Sequence, residues 1–225
     1  METSLSTRWS IVHGAAAGDA EAARVFAETY LGIVRAYLLK RWRGRSEIVG
    51  VDDALQEVFL DFFRAGGALG RVDAGRPGGF RTFLFGVVHK VALRHEERAA
   101  RERARAAATP AGEQASPERD QASRIFDRTW ALELLQRAHA RLEAEAAGDA
   151  DAQRRLEILR LRFREDLPIR EIAVLVGLEA VRAHREFARA REEFKAALRA
   201  EVARTVATRG EDPERECRFL LELLG

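Results

Sequence analysis

Apolar residues recur three and four apart along most of the chain, and stretches that alternate apolar with polar are hard to find, so the pattern predicts an all-α protein. Val25, Phe26, Tyr30, Ile33 and Tyr37 share one face of a helix expected over residues 19–42. The next helix is expected to begin at Asp52 or Asp53, where Asp53-Ala54-Leu55-Gln56 has the form of a capping box. Its apolar face is Leu55, Val58, Phe59, Phe62 and Phe63. Residues 66–79 are rich in glycine and read as a mobile loop. A long helix is expected to follow, from Phe80 to near Arg105.

From Ala106 to Ser123 the apolar periodicity stops, and Thr109, Pro110, Gly112, Ser116 and Pro117 give the composition of a flexible linker. The expected organisation is a helical domain over 1–105, a linker over 106–124, a second helical domain over 125–206 and a C-terminal extension over 207–225. Within the second domain, helices are expected over 125–146 and 152–164 with a break near Gly148, followed by two closely spaced helices. A break at 210–213 precedes a short terminal helix.

With 225 residues, 47% hydrophobic and 33% charged, the chain can bury a core beneath a solvated surface, unlike a disordered tail. Its 38 basic and 36 acidic residues leave a net charge of +2, so any basic footprint must be local. Cys217 is the single cysteine and cannot form an intramolecular disulfide, which fits a cytoplasmic location. Residues 1–10 lack the basic start and apolar run of a signal peptide. The longest apolar stretch, 172–178, falls far short of the ~18 residues of a membrane span, so no membrane insertion is expected. His13, His89, His95, His139 and His184 show no metal-ligand spacing, no nucleophile motif accompanies them, and residues 66–79 hold no Gly-Lys-Ser/Thr phosphate cradle. Neither an enzyme nor a metal site nor a cofactor is expected.

Three features carry chemistry. In the closely spaced helices, Pro168 can open the first, Ile172, Ala173 and Val176 form its inner face, Gly177 supplies the turn and Leu178 fills the gap, as in a helix-turn-helix. The following helix has Ala183, Phe187, Ala190, Phe194 and Leu198 as its core stripe, with Arg182, Arg185 and Arg189 roughly opposite, a stripe that could enter a DNA major groove. Glu179, Glu186, Glu192 and Glu193 argue instead for an ordinary solvated face.

On the helix over residues 53–64, Asp53, Gln56, Glu57 and Arg64 lie opposite the aromatic face, with Leu60 among them. A lone exposed leucine usually means nothing, but in an acidic surround it can centre a docking patch for a basic partner. Lastly, Phe80, Phe83 and Phe85 lead into a helix whose Lys90, Arg94, Arg98, Arg101 and Arg105 share one narrow stripe. Aromatics beside cations suit single-stranded nucleic acid, although phenylalanines suit a core equally well.

Taken in order, these features resemble a bacterial RNA polymerase sigma factor of the extracytoplasmic-function (ECF) type. Asp53-Ala54-Leu55-Gln56-Glu57-Val58-Phe59-Leu60 is similar to the family's core-binding helix in region two. Phe80-Arg81-Thr82-Phe83-Leu84-Phe85 and the basic run after it resemble the segment that melts and reads the downstream promoter element. Leu167-Pro168-Ile169-Arg170-Glu171-Ile172-Ala173, Gly177-Leu178 and Phe187-Ala188-Arg189-Ala190-Arg191 resemble region four, which reads the upstream element. Thr7-Arg8-Trp9-Ser10 and the extension beyond Arg204 resemble a subgroup with that opening and a short tail. The family pattern is broken at Phe83, Lys90, Ala183 and Glu186.

The resemblance implies a non-enzymatic initiation factor whose partners are core RNA polymerase and promoter DNA, with an anti-sigma factor among the partners it allows. Asp53, Gln56, Glu57 and Leu60 would dock on polymerase; Phe80, Phe83, Lys90, Arg94 and Arg98 would engage the opened downstream element; Arg182, Arg185 and Arg189 would contact the upstream duplex. Two other readings stay open, a dimeric DNA-binding repressor and a sigma-like adaptor that binds proteins but no DNA. The tail over 214–224 is expected to be a docking helix, with Cys217, Leu220, Leu221 and Leu224 as its apolar stripe. It is too short to be helical alone, and reversible docking over the promoter-reading face is expected.

Overall fold

The computed structural model describes residues 3–45, 50–72, 79–107, 119–205 and 213–223, and among these the regular secondary structure is all helical, without strands. The chain forms two compact units, residues 1–133 together with 204–225, and residues 134–203. Among the described residues no helix is long and apolar enough to cross a membrane.

The first unit starts with α1 (Thr3–Ala16), a helix not anticipated from the sequence, which buries Val12 and Ala15. Helix α2 (Ala20–Arg41) runs as expected, because Asp19 caps it by accepting the amides of Glu21 and Ala22 at 2.9 and 3.1 Å. It buries Phe26, Tyr30, Ile33, Val34, Tyr37 and Leu38.

Helix α3 (Val51–Phe63) begins earlier than expected and without the capping box. Gly50 precedes it with φ of +112°, a conformation open to glycine, and a Cβ there would meet the Asp53 carboxylate at 2.8 Å. Asp53 therefore stands within the first turn, where its charge favours the positive end of the helix dipole. Beyond α3, Ala68 and Leu69 are buried and Leu69–Arg71 forms a short 3₁₀ turn, so the start of the glycine-rich stretch is part of the core. Its residues 73–78 lie outside the described residues.

Helix α4 (Gly79–Ala107) follows the expected course. Its Phe80 joins the aromatic centre of the unit, where the Phe26 ring meets Phe62, Phe63 and Phe80 edge-on at centroid distances of 5.4, 5.7 and 5.8 Å. Such edge-to-face contacts match the electron-rich face of one ring to the electron-poor rim of the next.

Helix α5 (Arg119–Glu145) starts before the expected residue 125, because Ala122, Phe126 and Trp130 give it an apolar stripe from its first turn onward. Phe126 packs on Tyr37 and Phe85, and Trp130 on Tyr30. Residues 119–124 are thus helix rather than linker, and the expected linker over 108–118 lies outside the described residues. So does the expected break at 210–213 as far as residue 212. The terminal helix α9 (Pro213–Glu222) buries Cys217 and Leu220 in this unit. Leu221, expected in the same stripe, is 49% exposed, and Leu224 lies outside the described residues.

The second unit holds the remainder of α5 with α6 (Ala150–Phe163), α7 (Ile169–Leu175) and most of α8 (Ala180–Thr205). Asp149 caps α6 through the amides of Asp151 and Ala152, which hold its carboxyl below the usual carboxylate range. Ile158, Leu161, Ile169, Ile172, Ala173 and Ala183 form its core, with Leu167, Val176, Leu178 and Phe187 against it. Gly177 turns the chain between α7 and α8 at φ of +66°, and the Leu178 amide donates to the Ala173 carbonyl at 2.9 Å.

Candidate functional site

The outer side of α3 carries the first group of candidate residues. Asp53 and Gln56 are exposed, and Leu60 is 61% exposed, because the aromatic residues of α3 take the inner side. Asp52, on the same side, pairs with Arg35 at 2.6 Å, an exposed contact that stabilises little. Glu57 is placed differently. It turns to α4, where its carboxylate forms an ion pair with Arg94 at 2.7 Å and lies 2.8 Å from Nε2 of His95. Arg94 also reaches Asp61 at 3.2 Å. Glu57 and Arg94, expected to meet polymerase and DNA respectively, therefore face each other across two helices.

The rest of the α4 group also divides. Phe80 is only 2% exposed, closed in by Phe26, Tyr30 and Phe83, so its ring has no free face for a base. Phe83 is half-buried against Phe62 and Phe80. Lys90, Arg98, Arg101 and Arg105 remain exposed along the stripe, accompanied by Glu97 and Glu102. The third glutamate of this helix, Glu96, is buried and answers to α2: Arg41 donates to it at 2.6 and 3.0 Å and the Trp42 indole at 2.9 Å. Tyr37 accepts another bond from Arg41 at 3.2 Å, and burial pushes its hydroxyl above the usual range.

Helix α8 keeps its arginines outside. Arg182, Arg185 and Arg189 are all exposed. Arg189 holds Glu193 at 3.0 Å, one turn on. Glu193 also accepts from the Arg155 Nε at 2.8 Å, and Glu186 lies 3.7 Å from the same guanidinium. Arg155, on α6, is buried, and an arginine cannot shed its charge, so it draws both carboxylates toward the core side. Two of the four glutamates that argued for a bland surface are thus committed to a buried cation. The arginines occupy the outer side, with Val181 beside them at 69% exposure.

Sequence reasoning missed Arg41, Glu96 and Arg155, the buried charges that decide which surface groups are free. Their one signal is position: each lies three or four residues from buried apolar side chains on its helix, Arg41 after Tyr37 and Leu38, Glu96 after Ala92, and Arg155 before Ile158 and Leu159, where an unpaired charge would be intolerable. Among the described residues, no cluster of three or more His, Cys, Asp and Glu side chains could hold a metal ion. Compared with protein-family models, with curated proteins and with solved structures, the chain matches none of them.

Proposed function

We propose that this chain is an ECF-type sigma factor, which binds core RNA polymerase and directs it to promoters. In this reading the two units are separate functional domains. The outer side of α3, with Asp53, Gln56 and Leu60, docks on polymerase: the leucine supplies the desolvated centre and the carboxylates set register against a basic partner. Helices α7 and α8 act as a helix-turn-helix with α8 in the major groove, where Arg182, Arg185 and Arg189 reach base edges or phosphates. Val181, at the start of α8, suits a thymine methyl. Lys90 and Arg98 on α4 track the opened downstream strand.

The observation that carries the reading is the division of charge on α8, where Glu186 and Glu193 turn to Arg155 while Arg182 and Arg185 stay exposed. The same observation weakens the adaptor reading, which rests on the near-zero net charge and on the glutamates of this helix. A repressor has no use for an exposed leucine within an acidic face.

The test is co-purification with core RNA polymerase, followed by retention of the complex on promoter duplex. The reading expects both. A chain that binds duplex but never polymerase is a repressor, and one that binds polymerase but no promoter is an adaptor.

A further inference from the structure

Arg81, in the first turn of α4, is held from two sides. Asp127 of α5 accepts from its Nη1, and Glu216 of α9 lies 3.5 Å from its Nε. The guanidinium also sits 4.5 Å above the Phe219 ring of α9, a cation–π contact. The three charged side chains keep only about a fifth of their exposure: 21% for Arg81, 22% for Asp127 and 18% for Glu216. On the same helix Cys217 and Leu220 are buried. A ten-residue segment does not hold helical shape alone in water, so α9 is helical because it is docked. Its described contacts include two buried apolar side chains and one shared arginine, and a single short helix docked in this way belongs to the segments that open before the rest of a fold.

We propose that α9 is an intramolecular latch that withholds Arg81 from nucleic acid, with a strand of single-stranded DNA as the competing occupant. Carboxylate and phosphate use the same guanidinium donors, so a phosphate can take the side of Arg81 that Glu216 and Phe219 cover only when α9 lets go, while Asp127 of α5 keeps its hold on Nη1. The inference rests on the sigma-factor reading in one respect, that the start of α4 is where the opened strand passes. The docking of α9 on Arg81 does not depend on that reading.

The single cysteine, Cys217, lies in the docked face and is 7% exposed, so its thiol reports opening directly. The experiment measures N-ethylmaleimide modification of the full chain, as wild type, Arg81→Ala and Phe219→Ala. Both variants are expected to react about tenfold faster, as their opening becomes easier, with little change in circular dichroism. Phe219→Ala guards against misfolding of Arg81→Ala, because Phe219 is only half-buried on a terminal helix. Rates equal to wild type in both variants would overturn the latch, whether or not the chain binds polymerase.

The second arm titrates a single-stranded oligodeoxynucleotide into the full chain and into the chain ending at Arg209. If the open state is the binding-competent one, truncation tightens binding by about the inverse of the open fraction, on the order of tenfold. Oligonucleotide added to wild type should also speed Cys217 modification. Unchanged affinity after truncation, in a protein whose variants do open, would overturn the competition with nucleic acid. Polymerase is absent from both arms, so failure here is distinct from failure to bind polymerase.

Discussion

Helices α4 and α8 both carry runs of arginine interrupted by glutamate, yet they expose different things. On α4, cations are drawn off by carboxylates of other helices: Arg94 by Glu57 and Asp61 of α3, and Arg81 by Asp127 and Glu216. Both helices also give carboxylates to a buried arginine, Glu96 of α4 to Arg41 and Glu186 and Glu193 of α8 to Arg155, but on α8 Arg182, Arg185 and Arg189 stay outside. The difference lies in what each helix packs against. A buried charge compels a partner, because desolvation without one costs far more than any surface pair returns. Counting charges along a helix therefore describes its surface only when no neighbour buries a charge of its own.

The sharpest way to break this comparison is to remove the buried cation that α4 answers to. Arg41→Ala leaves Glu96 buried without the two bonds it receives at 2.6 and 3.0 Å, and should destabilise the first unit by ~3–5 kcal/mol in urea unfolding. Arg41→Met with Glu96→Leu should recover much of that loss, since an apolar pair carries no desolvation cost. A loss below about 1 kcal/mol in the single variant would mean that the pair is not shielded from water.

Next in size is the contrast between an exposed and an engaged arginine. Arg185→Ala should weaken binding to the upstream duplex by ~1–3 kcal/mol if it reads a base, with relaxed specificity at one position. If it meets a phosphate, all sequences should weaken alike and the salt slope flatten. Arg94→Ala should leave affinity for a single-stranded oligonucleotide nearly unchanged, whereas Arg98→Ala should lower it, although the sequence alone treats the two alike. Equal losses for Arg94 and Arg98 would erase the distinction drawn between them.

A smaller effect tests the role of Arg155. Arg155→Leu releases Glu186 and Glu193, which can swing toward the arginine stripe, and duplex affinity should fall roughly two- to tenfold. Adding Glu186→Gln and Glu193→Gln should restore it. Failure of that rescue in binding titrations would show that Arg155 acts through packing alone.

Those outcomes also mark what could be read from the sequence. The faces of α2 and α3 were legible because burial repeats with the helical period, so Phe26, Tyr30, Ile33 and Tyr37, and Val58 and Phe62, fall inside as expected. The exposure of Leu60, Arg182, Arg185 and Arg189 follows from the same period. The fates of Glu57, Glu96 and Glu186 do not, since their partners come from distant parts of the chain and only tertiary packing brings them near. Phe80 was ambiguous for a related reason: an aromatic at a helix start suits a core and a stacking platform equally, and contact with Phe26 decides for the core. The early start of α5 was hidden because Ala122 is small and its polar neighbours have the composition of a linker.

The smallest expected effect is a pH dependence at His89 on α4. Burial, then the positive charges of Arg41 and Arg119, hold its pKa below the ordinary histidine value, against a weaker opposing pull from Glu96. The folded state thus favours the neutral ring, and the unfolded chain takes up the proton first as pH falls. This contribution to stability is fully present above about pH 6.5 and is lost as pH drops through the depressed folded pKa. His89→Gln should flatten that limb in unfolding curves between neutral and mildly acidic pH. An unchanged slope would place the acid sensitivity elsewhere.

The central claim, that the chain lends core RNA polymerase a promoter, is tested most directly by run-off transcription on a promoter library with purified core polymerase. The wild-type chain should give discrete, start-site-specific transcripts that core polymerase alone does not. Leu60→Arg, folded by circular dichroism, should abolish both the transcripts and co-purification with polymerase, while Arg185→Ala should keep polymerase and lose transcript. Wild-type chain that leaves core transcription unchanged on every template, or folded Leu60→Arg that transcribes as well as wild type, would contradict the account.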